Sequence, residues 1–237
     1  MRVGVFDSGL GGINVLSCLI KKYPKNQYIF FGDTKNLPYG DKSKEELISL
    51  ASMAIDFLLT KKVDIIIIAC GTISSTCFDD LKRKYQIPLY DILSPTIKYL
   101  TNIDLDNIGV IATTKTIASN IFKIANKKVI MHATPSFVPI IENGLIKEKE
   151  EDIIQELEMF SQCNLLVLGC THYPLLSNLI KKYFSFKILD MGECLVKNLT
   201  LENSDNYSCI LYFSLINENL VNNIKHILKT EYKIIQK

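Results

Sequence analysis

The sequence carries no excess of either charge. Its 27 Lys and Arg stand against 25 Asp and Glu, leaving a net charge of +2. That balance gives no electrostatic case for nucleic acid or an anionic membrane as a partner. Short basic runs such as Lys127-Lys128 and Lys181-Lys182 read as solvated faces. The seven cysteines contain no CxxC pair, and their number is odd. A disulfide framework or a zinc site is therefore disfavoured, and no metal is called for. No apolar run approaches transmembrane length, and the opening Met1-Arg2-Val3-Gly4-Val5-Phe6-Asp7 reads as a strand at once, so no signal peptide is expected. The expectation is a cytoplasmic chain with reduced thiols. The dinucleotide pattern GxGxxG is also missing. The first glycine turn is Asp7-Ser8-Gly9-Leu10-Gly11-Gly12, with an aspartate that would repel a pyrophosphate. No low-complexity linker divides the chain.

What is present is a pair of similar stretches. One is Ile65-Ile66-Ile67-Ile68-Ala69-Cys70-Gly71-Thr72, and the other is Leu165-Leu166-Val167-Leu168-Gly169-Cys170-Thr171-His172. Apolar runs of this length without polar alternation read as strands buried on both faces, as in parallel sheets. Ligands of open α/β sheets collect beyond the carboxyl ends of such strands. Both cysteines stand at those ends.

Apolar residues make up 48 % of 237 positions, enough for one large α/β domain or two small ones. Strands are expected at 3–6, 28–31, 65–69, 87–92, 108–112, 129–133, 165–169 and 186–189, with a last one at 209–213. Ser43 and Glu46 form a capping box ahead of a helix through Leu59. Further helices are expected at 73–84, from Pro95, at 117–126, 147–162, 174–184 and 220–228. Phe137 to Gly144 reads as a loop. The βα rhythm restarts near 93–108, which with the repeated cysteine stretch suggests two similar α/β domains.

Several polar groups sit at the expected strand ends. Asp7 and Ser8 could bind an ammonium or steer a proton, or simply shape a strand-to-helix turn. Pro38-Tyr39-Gly40 is a rigid turn that could bring N–H groups and a phenol to a pocket. Two thiols facing each other across a cleft suggest a specific chemistry. A thiolate takes a proton from a carbon on one face, and a thiol returns one on the other. That inverts a stereocentre such as an amino-acid α-carbon. Asp7 and His172 are the candidates to assist the two thiols.

These residues resemble the glutamate racemases of the Asp/Glu racemase superfamily. The resemblance rests on Val5-Phe6-Asp7-Ser8-Gly9-Leu10-Gly11-Gly12, Phe31-Gly32-Asp33-Thr34 with Pro38-Tyr39-Gly40, Ala69-Cys70, Phe137-Val138-Pro139, and Gly169-Cys170-Thr171-His172-Tyr173-Pro174-Leu175. It implies a cofactor-independent enzyme that interconverts L- and D-glutamate, supplying D-glutamate for peptidoglycan. It implies two three-layer α/β domains with largely parallel sheets, related by a pseudo-two-fold, with the site in the cleft between them. The first domain would hold 1–92 plus 205–237, and the second 93–204. Cys70 and Cys170 would be the acid/base pair, assisted by Asp7 and His172. Substrate contacts would come from Asp7, Ser8, Pro38, Tyr39, Gly40, Gly71, Thr72, Thr113, Thr116, Glu142, Thr171 and His172, with Asp33 nearby. Cys70 would serve the D-isomer and Cys170 the L-isomer. A homodimer is usual in the family.

The chain departs from the family pattern at two named positions. The family usually carries Asn after its first cysteine, where this chain has Gly71, and Met191 stands where Ser or Pro is more usual. Gly71 keeps a racemase of another acidic amino acid, such as aspartate, open as an alternative. A non-catalytic amino-acid-binding protein on the same fold is the alternative from a different class.

Overall fold

The computed structural model describes residues 1–204 and 206–237. The chain begins with β1 (Arg2–Asp7), α1 (Gly12–Lys22) and β2 (Gln27–Gly32). It continues through α2 (Lys44–Thr60), β3 (Ile65–Ile68), α3 (Gly71–Thr76), α4 (Phe78–Lys84) and β4 (Leu89–Asp91). After α5 (Leu93–Asn102) come β5 (Ile108–Ala112), α6 (Thr114–Ala118), β6 (Val129–Ala133), α7 (Phe137–Glu142) and α8 (Glu150–Leu157). Then follow β7 (Leu165–Leu168), α9 (Ser177–Tyr183), β8 (Lys187–Asp190) and α10 (Met191–Asn198). The chain closes with β9 (Ser208–Phe213), α11 (Glu218–Ile227) and β10 (Lys233–Gln236).

These strands build two parallel-sheet α/β domains. One sheet has the order β10-β9-β2-β1-β3-β4 and the other β6-β5-β7-β8, and every pairing is parallel. The four strands β2-β1-β3-β4 and the four strands β6-β5-β7-β8 follow the same plan. β3 therefore corresponds to β7, and Cys70 to Cys170. All four isoleucines of β3 are buried, as are the four residues of β7. Each such side chain contributes about 1.5–3 kcal/mol relative to leaving it in water, so both central strands are firmly placed.

The two sheets share a helical layer. α1 packs on α10, and α10 on α5. One continuous apolar cluster runs from Val5 and Leu16 through Leu93 and Leu195 to Val110 and Val167. The outer face of the first sheet carries α2, α3 and α4, and that of the second carries α7, α8 and α9. Their strand ends thus face a common cleft. Among the described residues, no helix is long and apolar enough to cross a membrane.

Several elements differ from the sequence expectation. The helix of 73–84 breaks at Cys77, which leaves helical geometry (φ −127°, ψ −6°) while burying its side chain. The helix expected at 117–126 begins earlier, because the Thr113 side chain caps it, and stops early near Asn120, whose φ is +56°. Phe137–Glu142 is helical rather than a loop. Pro139 falls in its first turn, where proline is tolerated. The acidic helix is shorter, at Glu150–Leu157 with a 3₁₀ turn after it. The segment after Cys170 opens as a 3₁₀ turn, Tyr173–Leu176, before α9. α10 was not expected; the Asp190 carboxylate accepts the Gly192 N–H and caps it. Finally, β9 is not the last strand, since β10 pairs along it.

Candidate active site

The site forms where the ends of β1, β3, β5 and β7 converge. The cavity there is lined by Ser8, Pro38, Tyr39, Gly40, Cys70, Gly71, Thr72, Thr113, Cys170, Thr171 and His172. Three residues expected to touch substrate stand behind this wall instead. Asp7 lies under Ser8, Thr116 under Thr113, and Glu142 behind His172.

Each thiol has its own polar chain. Cys70 Sγ is 3.6 Å from Ser8 Oγ, and the Ser8 hydroxyl is 3.4 Å from Asp7 Oδ1. Cys170 Sγ is 3.7 Å from His172 Nδ1, and His172 Nε2 is 2.6 Å from Glu142 Oε1. The chains also cross between the domains. Thr171 Oγ1 donates to Asp7 Oδ2 at 3.1 Å, and the Leu10 N–H donates to Glu142 Oε1 at 3.1 Å. Gly11 permits this close approach. A Cβ there would stand 2.3 Å from Thr171 Oγ1 and 2.7 Å from the His172 nitrogen.

Burial sets the protonation of these groups. Burial and the nearby Asp7 carboxylate push the Cys70 thiol up to about 12, although the Ile73 N–H and Ser8 hydroxyl favour its thiolate. Asp7 is raised by burial, only partly offset by the charge of His172 and hydrogen bonds from Gly9 and Thr171. Burial would pull His172 down. Hydrogen bonds with Cys170 and Glu142, with the charge on Glu142, outweigh it and hold the imidazole well above its ordinary value. Burial likewise opposes ionisation of Glu142, yet His172 and the Leu10 N–H hold it below the usual carboxylate range. His172 and Glu142 therefore stand as a buried imidazolium–carboxylate pair.

Hydroxyls close the other side. Thr72 Oγ1 meets Thr113 Oγ1 at 3.0 Å across the cleft, and Thr113 Oγ1 meets Thr116 Oγ1 at 3.0 Å. The Tyr39 phenol donates to Asp33 Oδ2 at 2.7 Å, which holds the Pro38-Tyr39-Gly40 loop over the cavity. Asp33 also accepts from Asn36 and, at 2.8 Å, from the Ser214 hydroxyl just after β9. Among the described residues, no cluster of three or more His, Cys, Asp or Glu side chains is arranged to hold a metal ion.

The sequence profile of the Asp/Glu/Hydantoin racemase family matches residues 21–199. The chain belongs to that family. It is an amino-acid racemase, an isomerase. A glutamate racemase from Hydrogenobaculum sp. (strain Y04AAS1) is 33 % identical over 99 % of this chain and 95 % of its own. The crystal structure of glutamate racemase isoform RacE1 from Bacillus anthracis superposes with a TM-score of 0.88 at 26 % identity, covering 100 % of this chain and 97 % of that one. The glutamate racemase of Francisella tularensis in complex with D-glutamate gives 0.83 at 30 % identity, covering 100 % and 96 %.

Part of the racemase's cavity wall lies outside the residues that the sequence marks for substrate contact. Leu37, Asp41, Thr114, Pro135, Val138, Pro139 and Gly169 also line it. Val138 and Pro139 arrive on α7, the element read as a loop. Thr114 and Gly169 adjoin residues already singled out, so the strand-end rule could have included them. Nothing in the sequence marks Pro135.

Proposed function

We propose that the protein is a glutamate racemase in which Cys70 and Cys170 exchange protons with the two faces of the substrate α-carbon. The observation that carries this reading is the placement of two thiols at corresponding strand ends, one from each domain, both lining one cavity. The shared strand plan makes the two half-sites equivalent, yet their supports differ. Cys70 is backed by a hydroxyl and a carboxyl, and Cys170 by an imidazolium.

On this reading, one thiolate takes the α-proton and leaves a carbanion. The opposite thiol then gives its proton to the other face, so the configuration inverts and each sulfur ends in the other's starting state. Ser8 with Asp7, and His172 with Glu142, return the two thiols to readiness. The α-proton of an amino acid is very weakly acidic, so the carbanion needs electrostatic support in a site closed to water. The substrate ammonium supplies positive charge on the Cys70 side, where burial and Asp7 otherwise disfavour a thiolate. The hydroxyls of Thr72 and Thr113 are the groups offered to carboxylate oxygens, since that of Thr171 is spent on Asp7. Cys170 serves the L-isomer and Cys70 the D-isomer. Domain limits of 1–92 with 205–237, and 93–204, accompany the reading, supported by the place of β9 and β10 in the first sheet. The product D-glutamate would enter peptidoglycan.

Relatives that carry the glutamate racemase name favour glutamate over aspartate. The test is circular dichroism of L- and D-glutamate and L- and D-aspartate incubated with chelated protein and no cofactor. Decay of the glutamate signals to zero is expected. Decay of aspartate alone, or dependence on an added metal, would overturn the proposal.

A further inference from the structure

We infer that Asn14 is a positioning residue for the Cys170 half-site, an inference that rests on the two-thiol reading above. Asn14 is the third residue of α1, in the first domain. Its Nδ2 donates to the main-chain carbonyl of Thr171 at 2.9 Å. Thr171 lies between Cys170 and His172, so this one amide acts on the backbone that carries both.

The segment around Thr171 is held from two directions. On the β7 side, Gly169 is pressed against β5, where an added Cβ would lie 2.8 Å from both Ala112 Cβ and the Ile111 carbonyl. On the other side, the turn before α1 comes so close to Thr171 that Gly11 has no room for a Cβ. Thr171 Oγ1 donates to Asp7 at 3.1 Å. That bond fixes the side chain, and the Tyr173 N–H closes the turn on the Cys170 carbonyl at 3.1 Å, but neither touches the Thr171 carbonyl. The Asn14 amide fixes the plane. Rotation of this plane would change ψ of Thr171 and φ of His172, and with them the setting of His172 Nδ1 against Cys170 Sγ. Cys70 is supported by Ser8, the Ile73 N–H and β3, none of which Asn14 touches, and the one link from Thr171 to that side, its hydroxyl on Asp7, is made by the side chain and not by the carbonyl that Asn14 holds.

Loss of the Asn14 bond should therefore harm one face of the substrate and spare the other. Racemisation itself cannot report this. Its equilibrium constant is one, so kcat/KM must be equal in both directions for every variant. Elimination from a glutamate with chlorine on its β-carbon can report it, because that reaction needs a single base. A thiolate takes the α-proton, the C–H electrons form a double bond between the α- and β-carbons, and chloride leaves. The enamine then hydrolyses to 2-oxoglutarate and ammonium.

The experiment measures 2-oxoglutarate release from each α-enantiomer of 3-chloroglutamate. Cys70→Ser and Cys170→Ser first assign each enantiomer to its thiol. Asn14→Ala is expected to slow elimination from the Cys170 enantiomer about tenfold, in line with the sensitivity of proton transfer to small misplacements, and to leave the Cys70 enantiomer within about twofold. Asn14→Asp keeps the shape but has no N–H to give, and should be at least as slow as Asn14→Ala. General loosening of the protein would lower both enantiomers alike. Equal losses, no loss, or a wild-type ratio in Asn14→Asp would overturn the role of Asn14. If the two serine variants fail to prefer opposite enantiomers, the two-thiol reading falls, and the Asn14 inference with it.

Discussion

Glu142 Oε1 lies 2.6 Å from His172 Nε2 and also accepts the Leu10 N–H at 3.1 Å. One carboxylate oxygen of the second domain is therefore shared between the imidazolium beside Cys170 and the glycine turn of the first domain. His172 is buried and Glu142 mostly so, which leaves little water to replace the carboxylate at the imidazole. Removing one member of such a pair leaves the other charge uncompensated.

The first prediction concerns pH. Glu142 is held below its ordinary value of 4.5 and His172 above its ordinary value of 6.5. The stability contributed by Glu142 is complete above 4.5 and is lost as pH falls through its lowered native value. That contributed by His172 is complete below 6.5 and is lost as pH rises through its raised native value. Urea unfolding of wild type and Glu142→Gln should differ most between 4.5 and 6.5, and the difference should shrink on both sides. A difference that is flat across pH would show that the pair is not ionised.

The cysteines give the second prediction. A serine hydroxyl is a far weaker acid than a thiol, and positioned acid–base groups contribute about 10²–10⁴-fold. Cys70→Ser and Cys170→Ser should each lower racemisation of glutamate by at least that lower bound, followed by circular dichroism. Melting temperatures should stay near wild type. Full activity in either variant would remove that sulfur from the proton path.

Gly71 carries the third. A Cβ at this position would lie 3.0 Å from the Gly169 carbonyl oxygen and 3.6 Å from Met191 Cε. The missing side chain lets the two strand ends approach, and Met191 fills the space beside it. Overpacking of this kind costs about 1–3 kcal/mol. Gly71→Ala should lower kcat/KM several-fold, and Gly71→Asn should lower it further. Met191→Ser, combined with Gly71→Asn, should recover part of that loss. Strictly additive effects would separate the two positions.

A fourth prediction concerns the loop over the cavity. Ser214 donates to Asp33, and Asp33 in turn holds the Tyr39 phenol. A hydrogen bond to a charged group is worth about 1.5–3 kcal/mol. Ser214→Ala should raise KM for glutamate about fivefold with kcat little changed, because the loop lines the cavity without belonging to either polar chain behind the thiols. A fall in kcat at constant KM would place this network in the chemistry instead.

Much of this arrangement was legible in the residues themselves. The runs at 65–68 and 165–168 are buried on both faces, so their apolar continuity was an unambiguous signal. The capping box of Ser43 and Glu46 is local chemistry, and both of its hydrogen bonds are formed. Ser8 and His172 are within two residues of groups already marked by the strand ends. Short helices were harder. α7 has six residues and a proline in its first turn, which reads as a break when taken alone. β10 has the sequence Lys233-Ile234-Ile235-Gln236 and lies exposed at a sheet edge, so it lacks the buried strand pattern. The pairing of Asn14 with Thr171 spans 157 positions and depends wholly on how the domains meet.

The position of β9 has a consequence for how the molecule is made. Ser214 and Asp33 are 181 positions apart, yet they share a hydrogen bond beside the cavity. β9 lies along β2 from Gln27 to Gly32, and β10 completes that edge. The strands of the second sheet all lie between these partners in the chain. During synthesis the second sheet can close while β2 still waits, with one edge bare, for a neighbour the ribosome has not yet produced. Nascent chains stalled short of β9 should therefore expose that edge to proteases and chaperones while already protecting β5 to β8.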